Sequence, residues 1–410
     1  MKNLFGDSRF RLILLANLAS SIGSGITMIA IPWLLVTSEN GSEVFGYITL
    51  TMTAISFIIT PLIGQLIDRM SRKNLLLISK IVSLIVIGTF SFSGFLGLSF
   101  ETWHYIIIYF TGSLYYTIFY PTMFALNQEL FTSSQYKSLN GTMEVQGQLS
   151  SVIAGGVASV LLVNWGIHQI LLLNVAAYMA AIILFIRIPY IKRSKKDPNE
   201  ANRSTENAYT YIKNQPALFY VLLLTTMPFI GVMVTNYMFP VYLAEVLEAS
   251  GSIYGIKEMM YAIGAVTAGL IVPLVMVKLG PGRAMVYGMI IYTLAISLVL
   301  LANIPAFLAL MFFIAIGNSG TRVARNSFMM DQIPNQLIGR IDGLFRTIGL
   351  MLRMILLGLF TGLVSAELIA VCFMILSLVM ITSVLGVVVA WRRGLHVVQS
   401  INSEENTQAV

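Results

Sequence analysis

Twelve apolar stretches, each about as long as a bilayer is thick, leave this chain few folds to choose from. A hydrocarbon core of about 30 Å takes about 20 helical residues to cross. The apolar runs lie at about 12–36, 44–67, 75–98, 104–130, 140–164 and 169–190, then at about 216–243, 252–278, 284–302, 306–330, 341–364 and 368–391. Only 10% of the 410 residues are charged, where a soluble domain carries about a quarter. So few charges could not cover a globule of this size, and the bilayer must act as solvent. Prolines inside the runs (Pro32, Pro61, Pro121, Pro228, Pro240, Pro273) are compatible with membrane helices, whose neighbours re-satisfy freed backbone groups. The expected fold class is an all-α polytopic membrane protein of twelve transmembrane helices. Met1 to Phe10 read as a short polar lead, and no cleavable leader is expected.

The basic residues sort by loop. Loops after odd-numbered runs carry Glu39, Glu43, Glu101, Glu245, Glu248 and Glu367 and no Lys or Arg. The opposite loops carry Arg69, Arg72 and Lys73, then Lys137, then Lys192, Arg193, Lys195 and Lys196, then Lys278 and Arg283, then Arg340. Lys2, Arg9 and Arg11 at the start, and Arg392 and Arg393 in the tail, agree with them. The positive-inside rule then predicts a multi-pass protein of the cell membrane with both termini and the central loop cytoplasmic. The net charge of +7 largely reflects this sorting. Because the basic clusters are spread over separate loops, they do not form a nucleic-acid surface, and no nucleic-acid partner is expected. A single cysteine, Cys372 in an apolar run, leaves no disulfide and no cysteine metal site.

The longest internal polar run, 191–215, falls between runs six and seven and predicts a cytoplasmic linker. It separates an N-terminal six-helix half (1–190) from a C-terminal six-helix half (216–391), which a polar tail (392–410) follows. Register supports a duplication. At an offset of 202, Glu129 falls on Asp331, Gly141 on Gly343 and Gly147 on Gly349; at 209, Phe45-Gly46 falls on Tyr254-Gly255. Two halves related by an axis along the membrane normal would place a substrate cavity between them near the midplane.

After the second run the chain reads Gly64-Gln65-Leu66-Ile67-Asp68-Arg69-Met70-Ser71-Arg72-Lys73. This resembles the signature cytoplasmic loop of the major facilitator superfamily, Gly-x-Leu-x-Asp-Arg-x-Gly-Arg-Lys, with Ser71 in place of the second glycine. That departure, together with Leu139-Asn140-Gly141 and Gly147-Gln148-Leu149-Ser150, resembles the twelve-helix drug:proton antiporter branch that includes macrolide-efflux proteins and the enterobactin exporter. The resemblance implies the major facilitator fold, no cofactor, and a conformational latch formed by Gly64, Asp68, Arg69, Arg72 and Lys73. The simpler alternative is that the charges anchor the loop among lipid headgroups. The corresponding loop, Lys278 to Arg283, has no acid, so the latch would be one-sided. Run four carries no arginine and run five has Ala154-Gly155-Gly156 where many antiporters have Gly-Pro, two departures from the proton-coupled pattern.

Ionisable residues within spans are costly and usually face a cavity. Run one has none between Arg11 and Glu39; Glu144, Lys257, Glu258, Arg322, Arg325, Arg346 and Arg353 lie in later runs. Arg353 sits about 18 Å into its run at 1.5 Å per residue, near the midplane. It shares a helical face with Arg346, two turns away. Arginine keeps its charge, so Arg353 needs a carboxylate or an anionic solute. Glu258 and Glu144 are the carboxylates available for proton coupling, and Arg353 and Arg346 the cations for a solute. A purely structural Arg353–Glu258 or Arg346–Glu144 pair is the alternative. Asn17, Tyr116, Tyr120 and Asn236 are further cavity candidates, giving a lining suited to a bulky, polar or anionic organic molecule.

The resemblance implies a secondary-active exporter of an organic solute, by proton antiport, with an amphipathic or anionic metabolite such as a siderophore as substrate. A macrolide or multidrug pump and an importer of a small organic solute are the alternatives. An enzyme is not expected: His104, His168 and His396 lie at loops or in the tail, and no nucleophile–base grouping or phosphate-binding loop emerges. The partners are then the small solute and the lipid bilayer, with a monomer sufficient.

Overall fold

The computed structural model describes residues 5–132, 135–190, 208–333 and 335–390. Among them are twelve span-length helical elements and no strand. They are α1 (Ser8–Val36), α2 (Gly41–Arg69), α3 (Arg72–Phe95), α4 (Thr102–Leu130), α5 (Tyr136–Asn164) and α6 (Ile167–Ile186). After a short helical turn at Ala208–Lys213 follow α7 (Pro216–Val246), α8 (Gly251–Leu279), α9 (Pro281–Leu301), α10 (Ile304–Gln332), α11 (Asn335–Ser365) and α12 (Ile369–Ala390). Residues 191–207 of the expected linker and the tail from 391 lie outside the described residues, as does the side chain of Asp68.

Eleven of the described helices are both long and apolar enough to cross a membrane. α4 is the exception in hydropathy and not in length: it has 29 residues, and Tyr105, Tyr109, Tyr115, Tyr116 and Tyr120 dilute its apolar character. Several helices carry unbroken apolar faces outward. On α8 Leu270, Leu274 and Val277 recur at helical spacing and are exposed, as are Met374, Leu378, Ile381 and Leu385 on α12. Apolar faces of this size are unfavourable in water and are satisfied by lipid. This is a multi-pass membrane protein.

Helix lengths repeat along the chain. α4 and α10 both have 29 residues, beginning at Thr102 and Ile304, and Glu129 and Asp331 each lie one residue before their helix ends. α2 and α8 are likewise 29 residues each. α7 is interrupted at Thr225, ahead of Pro228, whose ring nitrogen has no proton for the ladder. At the break Thr226 N–H turns to the Leu223 carbonyl at 3.1 Å, and Thr226 Oγ1 donates to the Leu222 carbonyl at 2.7 Å, so that acceptor stays bonded. Beyond Pro240 the helix widens into a single π turn at Tyr242–Val246.

The described residues pack as two compact units. The first holds α1–α6 and Tyr237–Ile263, the end of α7 with the start of α8; the second holds the earlier part of α7, α8 from Gly264, and α9–α12. In the first unit α1 is central and packs against α2, α4, α5 and α6. Its approach to α6 is close: a methyl at Gly23 would fall 2.4 Å from Ala177 Cβ, and beside it Asn174 Nδ2 donates to Thr27 Oγ1 at 2.9 Å. α5 and α8 cross backbone to backbone at Gly155 and Gly255, where neither helix has room for a Cβ. Small residues are how membrane helices approach this closely. In the second unit α9 and α10 make the tightest pair, at Gly288 and Gly317.

Candidate functional site

The loop between α2 and α3 is built from the end of one helix and the cap of the next. Ser71 is the N-cap of α3, its Oγ accepting from Asn74 N–H at 3.3 Å. Serine at this position gives the orphan amides of the first turn an acceptor that glycine does not have. Arg72 then turns toward α4: its Nη1 donates to the Ala125 carbonyl at 3.0 Å and forms an ion pair with Glu129 Oε1 at 2.9 Å. The other oxygen of Glu129 accepts from the Tyr190 hydroxyl at 2.5 Å. Burial pushes the Tyr190 hydroxyl above its ordinary pKa, and the Glu129 hydrogen bond adds to the effect, so Tyr190 stays a donor. Lys73 Nζ donates to the carbonyls of Ile186 (2.9 Å) and Ile188 (2.7 Å), covering the C-terminus of α6. There a cation meets both unsatisfied carbonyls and the negative end of the helix dipole. Arg72 and Lys73 thus fasten α3 to α4 and α6 within the first unit. Arg69 ends α2 with an exposed side chain, and a Cβ at Gly64 would meet nothing within 4 Å.

The polar face of α1 is the second element of the site. Asn17, Ser20 and Ser24 are buried. Asn17 Nδ2 lies 3.9 Å from Met143 Sδ, and its buried Oδ1 has no hydrogen-bond partner among the described residues. Ser24 Oγ donates to the Ser20 carbonyl and lies 3.0 Å from the Tyr116 hydroxyl. Tyr116 stacks on Tyr120, which is 65% exposed. Behind this face lies Lys80 of α3, fully buried. Its Nζ donates to Ser20 Oγ at 2.8 Å and to the Tyr115 hydroxyl at 2.6 Å, and it lies over the rings of Tyr115 and Phe119 at 5.0 and 5.2 Å.

Other intramembrane charges are distributed along the helices. In α8 Lys257 is buried and Glu258 half-buried, and the two pair with each other at 2.7 Å. Lys257 Nζ also lies 5.0 Å from the Phe239 ring centroid and 5.4 Å from that of Tyr254, on which Trp33 stacks. Glu144 of α5 is exposed and accepts from Gln148 Nε2 at 3.0 Å. In the second unit Arg346 is 79% exposed and donates to Asp342, one turn earlier on α11, at 2.8 Å. Asp342 also lies 3.8 Å from the guanidinium of Arg325 on α10, which sits over the Phe345 ring. Arg353 is half-buried, with Nη1 3.8 Å from Met233 Sδ of α7; Asn236 on the same helix is exposed.

The sequence model of the Major Facilitator Superfamily matches residues 13–351, most of the chain. The chain belongs to the major facilitator superfamily. Macrolide efflux protein A of Streptococcus pyogenes is 23% identical over 270 residues. That alignment covers 65% of this chain and 66% of the relative, just under two thirds of its length. Among solved structures, a bacterial homologue of the iron transporter ferroportin in its inward-facing state superposes with a TM-score of 0.67 at 15% identity, over 91% of this chain and 98% of that one. The nucleoside transporter NupG gives 0.69 at 12% identity, over 94% and 99%. At these identities the structures establish the fold.

Within this superfamily member the expected site residues separate by unit. Tyr116 and Tyr120 stack on each other, and Tyr116 meets Ser24, which lies two turns along α1 from Asn17; Asn17 itself meets Met143. Glu258 has Lys257, its chain neighbour, as ion-pair partner, and Arg346 has Asp342. Lys80 was not among the residues the sequence singled out. Its signal is nevertheless present: a lone lysine within Leu75-Leu76-Leu77-Ile78-Ser79-Lys80-Ile81-Val82 is an intramembrane charge by the same rule that selected Glu258.

Proposed function

We propose that this superfamily member is a secondary-active exporter of an amphipathic or anionic organic metabolite, a siderophore being one such chemistry, driven by proton antiport. It resides in the cell membrane with both termini cytoplasmic, bounded by six-helix halves at 1–190 and 216–391, and works as a monomer. The similarity to Macrolide efflux protein A supports the export direction. Membership in the superfamily supports transport over enzymatic chemistry. The observation that carries the choice of solute is Arg353. It is a permanent cation on α11 beside Met233, at a depth where a carboxylate or an anionic ligand is the natural counter-charge. In the first unit the stacked Tyr116 and Tyr120, with Asn17, are assigned to the solute, and in the second unit the exposed Arg346 and Asn236. Glu258 serves as proton acceptor, with Lys257 holding its carboxylate in place, and Glu144 is the second candidate. We assign the latch role to the loop from Gly64 through Asp68, Arg69, Arg72 and Lys73; the ties of Arg72 and Lys73 to α4 and α6 support a part in setting the helix positions.

Cells lacking the protein, and the same cells with it restored, are compared by untargeted mass spectrometry of medium and cytoplasm. One anionic metabolite that disappears from the medium and accumulates inside is the expected result. No change in any endogenous molecule would overturn the metabolite reading and favour drug efflux, the second reading, which the macrolide relative supports. Glu258→Gln and Arg353→Gln should each abolish transport while leaving membrane insertion intact. Full activity in both would remove the proton and solute roles assigned to them.

A further inference from the structure

Lys80 holds a charge-bearing group in the interior of the first unit, and no counter-charge lies against it among the described residues. It lies eight residues into α3, about 12 Å along the helix axis, and none of its side chain reaches the surface. Ion pairs among the described residues include Asp7–Arg9, Arg72–Glu129, Lys257–Glu258, and Asp342 with Arg325 and Arg346. Lys80 is in none of them. The groups that face it are Ser20 from α1, Tyr115 and Phe119 from α4, and Tyr178 and Phe185 from α6. Among these the only titratable groups are the hydroxyls of Tyr115, which accepts from Lys80, and Tyr178, which meets Lys80 through its ring.

This shell accommodates either form of the side chain. Serine and tyrosine hydroxyls accept from an –NH3+ and can turn to donate to an –NH2, whereas a carboxylate accepts only. The ring faces attract a cation and tolerate a neutral amine. A guanidinium in the same place would have no neutral form to offer. The shell is also wired to the polar face of α1. Lys80 bonds Ser20, Ser24 bonds the Ser20 carbonyl, Ser24 bonds Tyr116, and Tyr116 stacks on exposed Tyr120. Those last residues are the ones assigned to the solute.

We propose that Lys80 is a proton-binding site of the transport cycle, loaded and unloaded as the polar face of α1 opens to water and closes. On unloading, the ammonium gives one N–H proton to an entering water. This leaves an amine whose lone pair accepts a hydrogen bond from the Tyr115 hydroxyl. On loading, the amine takes one proton from a hydronium ion, which leaves as water, and the ammonium again donates to Ser20 and Tyr115. The inference rests on the reading that solute movement is coupled to protons, and it gives that coupling a site besides Glu258.

The test uses the full chain in lipid nanodiscs with its lysines labelled by 13C at Cε, where the chemical shift separates amine from ammonium. Lys80→Arg and Lys80→Met identify the Lys80 resonance. If neither folds, Lys257→Gln removes the other buried lysine seen among the described residues, and protection from a soluble relaxation agent marks Lys80. The expected result is a Lys80 resonance that moves between the two positions over the pH range in which transport runs, while that of exposed Lys213 stays still. A resonance fixed at the ammonium position at every pH at which the protein stays folded would overturn the proposal. A second arm measures a macrolide in proteoliposomes. Lys80→Met should keep macrolide exchange and lose accumulation driven by a pH gradient; retention of gradient-driven accumulation overturns the proposal. A wild-type chain that carries no macrolide at all counts against the efflux reading alone, and the resonance still decides Lys80.

Discussion

Replacing Gly255 by alanine tests whether α5 and α8 are locked together by their glycines. The new Cβ would lie 2.4 Å from Ser159 N, 2.6 Å from Ser159 Cα and 2.8 Å from the Gly155 carbonyl oxygen. All three are backbone atoms, so no side-chain rotation relieves the clash. Restoring an ordinary separation of about 3.5 Å means parting the helices by roughly 1 Å, and overpacking of this kind costs about 1–3 kcal/mol. Alanine also favours a helix over glycine by about 1 kcal/mol, which would mask part of the loss. Gly269 removes that ambiguity. It lies on the same helix with nothing within 4 Å of its built Cβ. Gly269→Ala therefore carries the propensity gain without the strain, and the difference between the two variants isolates about 1–3 kcal/mol of strain. Thermal unfolding of purified protein in detergent reads it. At about 2–4 °C per kcal/mol for a unit of 150–250 residues, Gly255→Ala should melt several degrees below Gly269→Ala. Because the approach is mutual, Gly155→Ala should show the same loss, and the double variant less than the sum. Equal melting of Gly255→Ala and Gly269→Ala would refute the backbone contact and the reasoning built on it.

Two further outcomes follow from the helix starts. Ser71→Ala removes the α3 cap and should lower stability by about 0.5–1 kcal/mol, while Ser71→Gly should cost only a few tenths. The same melting assay checks this, and equal loss in both would show that the cap bond contributes nothing. Asp7 caps α1 and pairs with Arg9 at 2.7 Å, and the Arg9 hydrogen bond holds its carboxyl below the ordinary value of 3.8. A depressed folded pKa stabilises above the unfolded value and loses that contribution as pH falls through the folded one. The advantage of wild type over Asp7→Asn should thus be flat from neutral pH down to about pH 5, worth less than about 1 kcal/mol for a partly exposed pair, and should vanish on acidification below about pH 4. A gap that widens in acid would reverse the sign and sink the assignment.

Much of the architecture is legible in the chain because membrane spans obey a one-dimensional rule. Length and apolarity decide a span, and they located all twelve helices in order, including α4, whose tyrosines lower its hydropathy without shortening it. Boundaries moved where local chemistry intervened. α3 begins at Arg72 because Ser71 caps it, and α11 begins at Asn335, ahead of its apolar run. That earlier start puts Arg353 eighteen residues into the helix, about 27 Å along its axis. The site was less legible. Spacing correctly relates Arg346 and Arg353 along one helix, yet one is exposed and bonded to Asp342 while the other packs near Met233. Helical period says which residues share a face, and says nothing of what that face meets.

What the sequence determined by itself is a bundle of membrane helices with its family motif and its sorted loop charges. Each of these depends on residues close together in the chain and on the bilayer they must satisfy. The tertiary structure alone decided which polar groups are joined. Arg72 and Tyr190 both reach Glu129, Ser24 reaches Tyr116, and Lys80 is enclosed by hydroxyls and rings from three other helices. Partners drawn from separate helices are set by how those helices pack, and the short range of hydrogen bonds and ring contacts makes every such partner a question of an ångström.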